Sequence, residues 1–437
     1  MRYISGLPEC RAGTGPRVLS LLGSTGSIGR SVLDVVRMQP RRFRIAALAG
    51  GRNVELLAAQ AEEFRPAYLG VLDEESAERL CRLLPRGVRP AVLVGREGYE
   101  ELARSAEVEM VVSAQSGAAG LHATYAAACS GKIIALANKE SLVLAGRLIR
   151  EACARSGASV LPMDSEHNAV FQCLAGNGAR GFAADGREDL RRLILTASGG
   201  PFFGWTKDEM AGVGPEQALK HPNWNMGAKV SIDSATFMNK GLELIEAHHL
   251  FGLPMSDLDV AVHRESVVHS LAEFTDGSLL AQLGTPDMRI PISYCLGFPE
   301  RLRNGAPVLD LTVLGTLHFS PPDRLAFPCL DLARRAQEKG LGCPVVLNAA
   351  NEEAVEAFLA GHIPFGALPR IVEHCLEAHE AAQGGLSGPD TAPSPGSGGT
   401  REEPAAFPGE PADIADILAL DAVARIRARR VAENFAC

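Results

Sequence analysis

The 437-residue sequence contains no run of about 18 consecutive apolar residues, the length that a membrane-spanning helix needs. It also has no excess of basic residues, since 43 Lys and Arg stand against 52 Asp and Glu and the net charge is −9. These absences argue against a membrane span and against a nucleic-acid-binding surface, which requires clustered Lys and Arg. If the substrate is an anion, its positive field must come from a few local side chains.

The ten cysteines form no CxxC pair and are scattered through apolar stretches. This distribution favours buried thiols in a reducing compartment over zinc ligands or disulfides. The first 16 residues lack the apolar core of a secretory signal. We therefore expect a bacterial-type cytoplasmic location.

The composition is that of a folded protein, with 46% hydrophobic and 22% charged residues. The length exceeds one ordinary core and predicts two or three domains. From Arg17 to Met163, short β-branched runs alternate with helix-period segments, which predicts a doubly wound, Rossmann-like parallel sheet. The predicted strands are 18–22, 43–48, 91–94, 108–113, 133–137 and 158–163, with helices over 27–38 and 53–64.

Beyond Asp164 the pattern becomes that of an α+β domain followed by a helical one. Segment 199–227 is rich in Gly, Pro, Trp and Asn without a clear period, which is typical of a lid. Segment 383–411 has the composition of a flexible linker or surface insertion. The predicted elements are strands 193–196, 260–263, 267–274 and 278–283, of which the last three are expected to be adjacent and antiparallel, and helices 234–251, 330–380 with two breaks, and 414–432.

The run GSTGSIG at 23–29 lies between a predicted strand and a predicted helix. Glycines let the backbone approach a pyrophosphate, and the helix N-terminus offers it unpaired N–H groups. The spacing is GxxGxxG and not GxGxxG, so a purely structural tight turn is the alternative. The strand–turn–helix context favours dinucleotide binding.

An NAD site usually places an acid about 20 residues beyond the glycine turn, at the end of the second strand. Here no carboxylate precedes Glu55 in that region, and Arg52 is suited to a ribose 2′-phosphate. This pattern favours NADP over NAD. The alternative is that Arg52 is a solvated surface charge.

Asp164 and Glu166 follow the last strand of the series, at the edge where open α/β sheets place their sites. Two carboxylates at i and i+2 on a loop can converge on a divalent cation, and a third would complete a Mg²⁺-type oxygen set. The competing interpretation is a helix start with Ser165 as N-cap. His167 is interpreted as structural, because oxygen ligands suit Mg²⁺ and Mn²⁺ better.

Ser234, Asn239, Lys240 and Glu243 include pairs three to five residues apart, which a helix and its first turn bring toward one side. A hydroxyl, an amide and an ammonium together favour a phosphate pocket. Glu243, one turn beyond Lys240, is then placed to bind a metal near that phosphate. The alternative is an N-cap at Ser234 with a Lys240–Glu243 ion pair.

Further candidate site residues follow predicted strands or lie in the expected lid. Ser198 is either a phosphate donor or part of a turn, and Lys139 puts a cation at the sheet edge unless Asn138 simply caps a helix. Trp224 and Met226 either cover a bound substrate or form the core of a compact loop.

Together the motifs resemble those of the 1-deoxy-D-xylulose 5-phosphate reductoisomerase family, from Arg17 to Glu380 and again in the final helix. Several long runs in the right order are more specific than a single glycine motif. The matching runs are GSTGSIG at 23–29, LANKESLV at 136–143, MDSEHNA at 163–169, SGGPF at 198–202, HPNWNMG at 221–227, KVSIDSATFMNKGLELIEA at 229–247 and AQLGTPDMR at 281–289.

The resemblance implies a homodimeric enzyme of the non-mevalonate isoprenoid pathway. Using NADPH and a divalent cation (Mg²⁺, Mn²⁺ or Co²⁺), it would rearrange 1-deoxy-D-xylulose 5-phosphate by a retro-aldol/aldol exchange and reduce the product to 2-C-methyl-D-erythritol 4-phosphate. The expected domains are an N-terminal extension (1–16), an NADPH-binding domain (17–163), a catalytic domain (164–298), a connecting segment (299–329) and a helical domain (330–437).

The resemblance also implies roles residue by residue. The metal ligands would be Asp164, Glu166 and Glu243, which with Lys139 and His221 make up the catalytic set. The substrate contacts would be Lys139, Ser165, Glu166, Ser198, His221, Ser234, Asn239, Lys240 and Glu243. The cofactor contacts would be Thr25, Gly26, Ser27, Ile28, Gly51, Arg52, Asn53, Asn138, Glu140 and Gly227. The lid would carry Trp224 and Met226.

Two other functions remain open at this point. One is another NADP-dependent dehydrogenase of a phosphorylated hydroxy compound, which acts without rearrangement and is separated by the carbon connectivity of its product. The other is a non-catalytic dinucleotide sensor, which leaves the three carboxylates and the phosphate pocket unexplained.

Overall fold

The computed structural model describes residues 4, 15–176, 189–224, 226–384 and 409–436. Most of the expected N-terminal extension and most of the expected insertion at 383–411 lie outside the described residues. The chain divides into two compact units, one made of Met1–Thr196 and Glu246–Phe319, the other of Ala197–Ile245 and Ser320–Cys437. The domain boundaries expected from the sequence stay a prediction.

The first unit contains a seven-stranded sheet in which every pairing is parallel. Its strands are β1 (Arg17–Leu22), β2 (Phe43–Ala49), β3 (Tyr68–Val71), β4 (Ala91–Val94), β5 (Met110–Ser113), β6 (Ile133–Leu136) and β7 (Ser159–Pro162). The helices after them are α1 (Ser27–Met38), α2 (Val54–Phe64), α3 (Glu74–Leu83), α4 (Gly95–Arg104), α5 (Leu121–Cys129), α6 (Lys139–Ser156) and α7 (Ser165–Gly176).

The strand order β4-β3-β2-β1-β5-β6-β7 confirms the predicted doubly wound sheet. β1 lies between β2 and β5, so the carboxyl ends of β1 and β5 form the crevice where such sheets bind ligands. Gly23, just after β1, has a φ of +91°, and a Cβ there would lie 2.4 Å from the Ala114 carbonyl oxygen after β5. Only glycine allows this approach of the two loops.

A four-stranded sheet has the order β11-β10-β8-β9, with β8 (Leu190–Ala197), β9 (Leu258–Val262), β10 (Val268–Phe274) and β11 (Leu279–Leu283). The antiparallel β10–β11 pair was predicted and is confirmed. The predicted adjacency of β9 to β10 is wrong. β10 has β11 on one edge and β8 on the other, which leaves β9 the outer edge of β8.

The remaining α-helices follow β8 in the chain. They are α8 (Lys207–Met210), α9 (Pro215–Ala218), α10 (Ala228–Ala235), α11 (Met238–Phe251), α12 (Arg289–Gly297), α13 (Leu311–Leu314), α14 (Cys329–Lys339), α15 (Cys343–Leu359), α16 (Ala367–Gly384) and α17 (Ile414–Glu433). The predicted breaks within 330–380 and the final helix are confirmed. Among the described residues, no helix combines the length and apolar character that a bilayer crossing requires.

The prediction of a single helix over 234–251 is wrong, because α10 ends at Ala235 and α11 begins at Met238. Phe237 adopts a left-handed φ of +63° and packs on Phe327 with ring centroids 5.0 Å apart. The Thr236 hydroxyl donates to carbonyl oxygens in the last turn of α10, at Ile232 and Asp233. Ser234 therefore lies within the last turn of α10 and is not an N-cap.

Candidate active site

The glycine turn places the N-terminus of α1 at the crevice edge of the parallel sheet. Gly26 is the N-cap of α1, none of the described side chains caps the helix, and its first turn carries no acidic residue. Gly26 and Ser27 are exposed, whereas Thr25 and Ile28 are half-buried. N–H groups without a protein cap at the start of a 12-residue helix suit an anion such as a pyrophosphate.

The loop after β2 holds the next three predicted cofactor residues. Gly51 is exposed, and a Cβ there would meet no atom within 4 Å. Arg52 is also exposed and lies near enough to Asp73 for its charge to act on that carboxylate, although no ion pair within 4.0 Å joins Arg52 to any described residue. Asn53 caps α2 by accepting a hydrogen bond from the Leu56 N–H at 3.1 Å. The space beside Gly51 and the open Arg52 cation fit a ribose 2′-phosphate.

Asn138 is a buried cap of α6, which confirms the capping interpretation. Its Nδ2 donates to the carbonyl oxygens of Gln115 at 2.5 Å and Gly117 at 2.9 Å. Its Oδ1 accepts from the N–H of Ser141 at 2.8 Å and from the Ser141 hydroxyl. The side chain thus holds the loop after β5 in place. The contact expected between Asn138 and a cofactor stays a prediction.

The neighbouring strands β6 and β7 bring Lys139 and Asp164 together. Lys139, the first residue of α6, places its Nζ 2.7 Å from Oδ2 of Asp164. Burial acts to raise the pKa of Asp164, but the charges of Lys139 and His167 outweigh it and hold that pKa well below its usual range. Asp164 is therefore ionised at neutral pH, as a metal ligand must be.

Glu166 lies beside this carboxylate in the first turn of α7, which begins at Ser165. Ser165 is thus inside the helix and not its N-cap, and its hydroxyl donates to Glu166 Oε2 at 2.6 Å. Oxygens of Asp164 and Glu166 lie within 4.8 Å of each other. Two close carboxylates at the carboxyl end of β7 fit a hard divalent cation.

A second acidic residue of the first unit lies near Asp164 and was missed by sequence reasoning. Glu246, only 1% exposed, has Oε2 3.2 Å from Nδ1 of the fully buried His167. The same His167 nitrogen lies 4.0 Å from Asp164 Oδ1. The available signal was the spacing of Glu246, three residues after Glu243 on one helix. His167 Nδ1 thus lies near both carboxylates, in a group of three side chains that could itself hold a metal ion, and the structural role expected for His167 stays a prediction.

In the second unit, Ser198 and His221 form a hydrogen bond of 2.8 Å between Oγ and Nε2. His221 Nδ1 accepts the backbone N–H groups of Asn223 at 3.2 Å and Trp224 at 2.9 Å. In the neutral ring the proton therefore resides on Nε2 and is donated to Ser198. The hydrogen of the Ser198 hydroxyl then points to another acceptor, as a phosphate donor requires.

The start of α11 gathers the remaining residues of the predicted phosphate pocket. Asn239 Nδ2 and Lys240 Nζ each donate to one oxygen of Glu243, and Glu243 and Lys240 are almost fully buried. The ion pair proposed as the alternative is thus present. It also holds a buried ammonium and an amide from two consecutive residues on the two oxygens of one carboxylate, and both are groups that bind phosphate.

Ser234 lies in the last turn of α10, against the turn that follows β8. A Cβ on Gly200, whose φ is +65°, would lie 2.7 Å from the Ser234 carbonyl oxygen, so the turn after β8 packs directly on this residue. Gly227 is the N-cap of α10, and Trp224 and Met226 in the preceding loop are half-buried.

The predicted site residues therefore form local groups in both units. Lys139, Asp164, Ser165 and Glu166 form one group in the first unit, whereas Asn138 is committed to capping. In the second unit Ser198 pairs with His221, and Asn239 and Lys240 pair with Glu243.

Comparison with known proteins gives the family. A model of 1-deoxy-D-xylulose 5-phosphate reductoisomerase matches residues 19–146, and models of the C-terminal domains of the same enzyme match residues 160–251 and 283–427. The chain belongs to the 1-deoxy-D-xylulose 5-phosphate reductoisomerase family. The resemblance found in the sequence motifs is confirmed.

Named relatives and solved structures of this family are similar over nearly the whole chain. The 1-deoxy-D-xylulose 5-phosphate reductoisomerase of Oleidesulfovibrio alaskensis is 57% identical over 381 residues, 87% of this chain and 92% of the relative. That of Nitratidesulfovibrio vulgaris is 57% identical over 87% of this chain and 91% of the relative.

A crystal structure of DOX-P reductoisomerase in complex with NADPH, fosmidomycin and magnesium has a TM-score of 0.85 at 44% identity, covering 95% of this chain and 98% of that one. The Zymomonas mobilis enzyme in complex with NADPH has a TM-score of 0.83 at 41% identity, covering 96% of this chain and 99% of that one.

Proposed function

We propose that this chain converts 1-deoxy-D-xylulose 5-phosphate into 2-C-methyl-D-erythritol 4-phosphate, in the non-mevalonate isoprenoid pathway, with NADPH and a divalent cation. The observation that carries the proposal is the ionised Asp164 carboxylate beside Glu166 at the carboxyl end of β7, in a chain of this family. A dinucleotide sensor gives no reason to place these two carboxylates side by side at this edge of the sheet. The enzyme is an oxidoreductase that also isomerises its substrate.

The cation would be held by Asp164, Glu166 and Glu243. Their oxygens suit Mg²⁺, and Mn²⁺ or Co²⁺ would accept the same ligands. When bound, the cation supplies Lewis-acid stabilisation of negative charge on substrate oxygens. Lys139, 2.7 Å from Asp164, holds that carboxylate in its charged form. It would also add positive charge at the reacting end of the substrate. Ser165 would bind the substrate beside Glu166.

The phosphate of the substrate would be bound by Ser198, Ser234, Asn239 and Lys240. Binding energy from this remote group would then orient the reacting carbons. His221 sets the direction of the Ser198 hydroxyl and also accepts a hydrogen bond from the backbone of Trp224. The loop that carries Trp224 and Met226 would close over the substrate and exclude water.

NADPH would lie along the crevice edge of the parallel sheet and supply the hydride. Thr25, Gly26, Ser27 and Ile28 would bind its pyrophosphate at the N-terminus of α1. Arg52 would bind its 2′-phosphate, which is supported by an exposed guanidinium without a described ion pair. The other proposed contacts are Gly51, Asn53, Asn138, Glu140 and Gly227.

We further propose that the protein is a homodimer in a bacterial-type cytoplasm. Apolar side chains that are exposed in the first unit support self-association: Leu279 and Leu280 on the edge strand β11, and Val308 and Val313 in the segment after α12. The described cysteines are free thiols, which supports a reducing compartment.

The direct test follows NADPH oxidation by absorbance with 1-deoxy-D-xylulose 5-phosphate, first with Mg²⁺ and then with a chelator. We expect oxidation that stops on chelation and resumes when Mg²⁺ is restored. The carbon connectivity of the product, read by NMR, separates the rearranged product from that of a simple dehydrogenase. Folded protein that binds NADPH but oxidises none would contradict the proposed reaction.

A further inference from the structure

Tyr99 of α4 is bonded to the backbone of the cofactor loop. The residue is 8% exposed, and its hydroxyl donates a hydrogen bond to the carbonyl oxygen of Gly50, the first residue after β2. The N–H of the same glycine donates to the Gly70 carbonyl oxygen at 3.0 Å. Gly50 is thus held on one side by the sheet and on the other by a side chain from a distant helix.

Gly50 connects two parts of the proposed NADPH site. It directly precedes Gly51, Arg52 and Asn53 in the chain. A Cβ on Gly50 would lie 3.0 Å from Cγ2 of Thr25, so the glycine turn after β1 packs against it. A shift of the Gly50 peptide would act directly on Arg52, two residues along the chain, whereas the glycine turn meets this position only through the side chain of Thr25.

The Tyr99 hydroxyl is a permanent donor in this position. Burial, with a smaller contribution from the charge of Asp73, raises the pKa of Tyr99 to about 12. The residue therefore stays protonated throughout the neutral range. A phenylalanine would fill nearly the same space but leave the Gly50 carbonyl without this donor.

We propose that Tyr99 is a positioning residue that sets the selectivity of the site for NADPH over NADH. By fixing the Gly50 peptide it holds Arg52 where the 2′-phosphate would bind. The inference rests on the proposed function, because it assigns the 2′-phosphate to Arg52.

The test is Tyr99→Phe, with NADPH and NADH affinities measured by fluorescence titration. We expect the Kd for NADPH to rise about fivefold, the size of one hydrogen bond, and the Kd for NADH to change less than twofold. kcat at saturating NADPH and the KM for the substrate should stay at wild-type values. Tyr125→Phe removes a hydroxyl from α5, near Cys129 and Arg155, and should leave both affinities unchanged.

A double-mutant cycle with Arg52→Gln separates positioning from loss of stability. If Tyr99 acts through Arg52, adding Tyr99→Phe to the Arg52→Gln variant should cause almost no further rise in the Kd for NADPH. The proposal would be overturned if Tyr99→Phe raised the Kd values for NADPH and NADH equally. It would also be overturned if the effects of Tyr99→Phe and Arg52→Gln on the Kd for NADPH were independent. Wild-type protein that binds no NADPH would instead contradict the proposed function.

Discussion

At the scale of single residues, the position of one proton decides what Ser198 can do. Two backbone N–H groups occupy His221 Nδ1, so its Nε2 donates to Ser198 and the serine hydrogen is directed elsewhere. We predict that Ser198→Ala and His221→Phe each raise the KM for 1-deoxy-D-xylulose 5-phosphate about tenfold, the usual cost of an unpaired polar group at a ligand. Steady-state kinetics at saturating NADPH would measure this.

The double variant distinguishes a shared hydrogen bond from two separate contacts. Because the two residues act as one unit, its KM should rise clearly less than the product of the single effects. His362→Phe, at an exposed position, is the control and should leave KM unchanged. If the rise in KM of the double variant equals the product of the two single rises, His221 does not act through Ser198.

The residues proposed to carry chemistry stand in local sequence patterns, but their long-range partners could not be predicted. Asp164 and Glu166 stand two apart after a predicted strand, a local pattern. Tyr99 contacts Gly50, which is 49 positions away (99 minus 50), and His167 contacts Glu246, which is 79 positions away (246 minus 167). No local periodicity encodes such pairs, because only the packed fold brings them together.

At the scale of elements, the turn after β8 and the end of α10 are placed by a close backbone contact. Gly200 has a φ of +65° and would put a Cβ 2.7 Å from the Ser234 carbonyl oxygen. We predict that Gly200→Ala lowers the free energy of unfolding by about 2–4 kcal/mol, from left-handed strain and the clash together, and raises the substrate KM by moving Ser234. Urea unfolding and steady-state kinetics would measure the two effects.

Gly204→Ala is the matched control for this turn. Gly204 has a similar φ of +82°, but a Cβ there would meet nothing within 4 Å. It should show only the strain of about 1–2 kcal/mol, with KM unchanged. If Gly200→Ala and Gly204→Ala lower the free energy of unfolding equally, the close approach of Gly200 to Ser234 does not contribute to stability.

The same region shows why the helix pattern was misread. The apolar period continues from α10 into α11, so the sequence predicts one helix from Ser234. The break depends on the left-handed backbone at Phe237, stabilised by packing on Phe327, which lies 90 residues away (327 minus 237). Tertiary contacts of this kind override local propensity. β3 was missed for a simpler reason, since its four residues include Gly70, which weakens the strand signal.

At the scale of the whole molecule, the proposed dimer depends on apolar side chains that one chain leaves in water. Val308 is 94% exposed and Val313 is 83% exposed, and both lie in the segment between α12 and α14. If a second copy covers them, an Asp at each position would bury unpaired charge. We predict that Val308→Asp with Val313→Asp weakens the dimer by at least about 3 kcal/mol, more than a hundredfold in Kd.

Size-exclusion chromatography with light scattering at micromolar concentration would measure the change. The wild type should elute as a dimer and the double variant as a folded monomer, with the unfolding transition of its NADPH-binding sheet retained. Leu72→Asp, at an isolated leucine that is 45% exposed after β3, should leave the dimer intact. A monomeric wild type would contradict the dimer, and a double variant that stays dimeric would place the interface elsewhere.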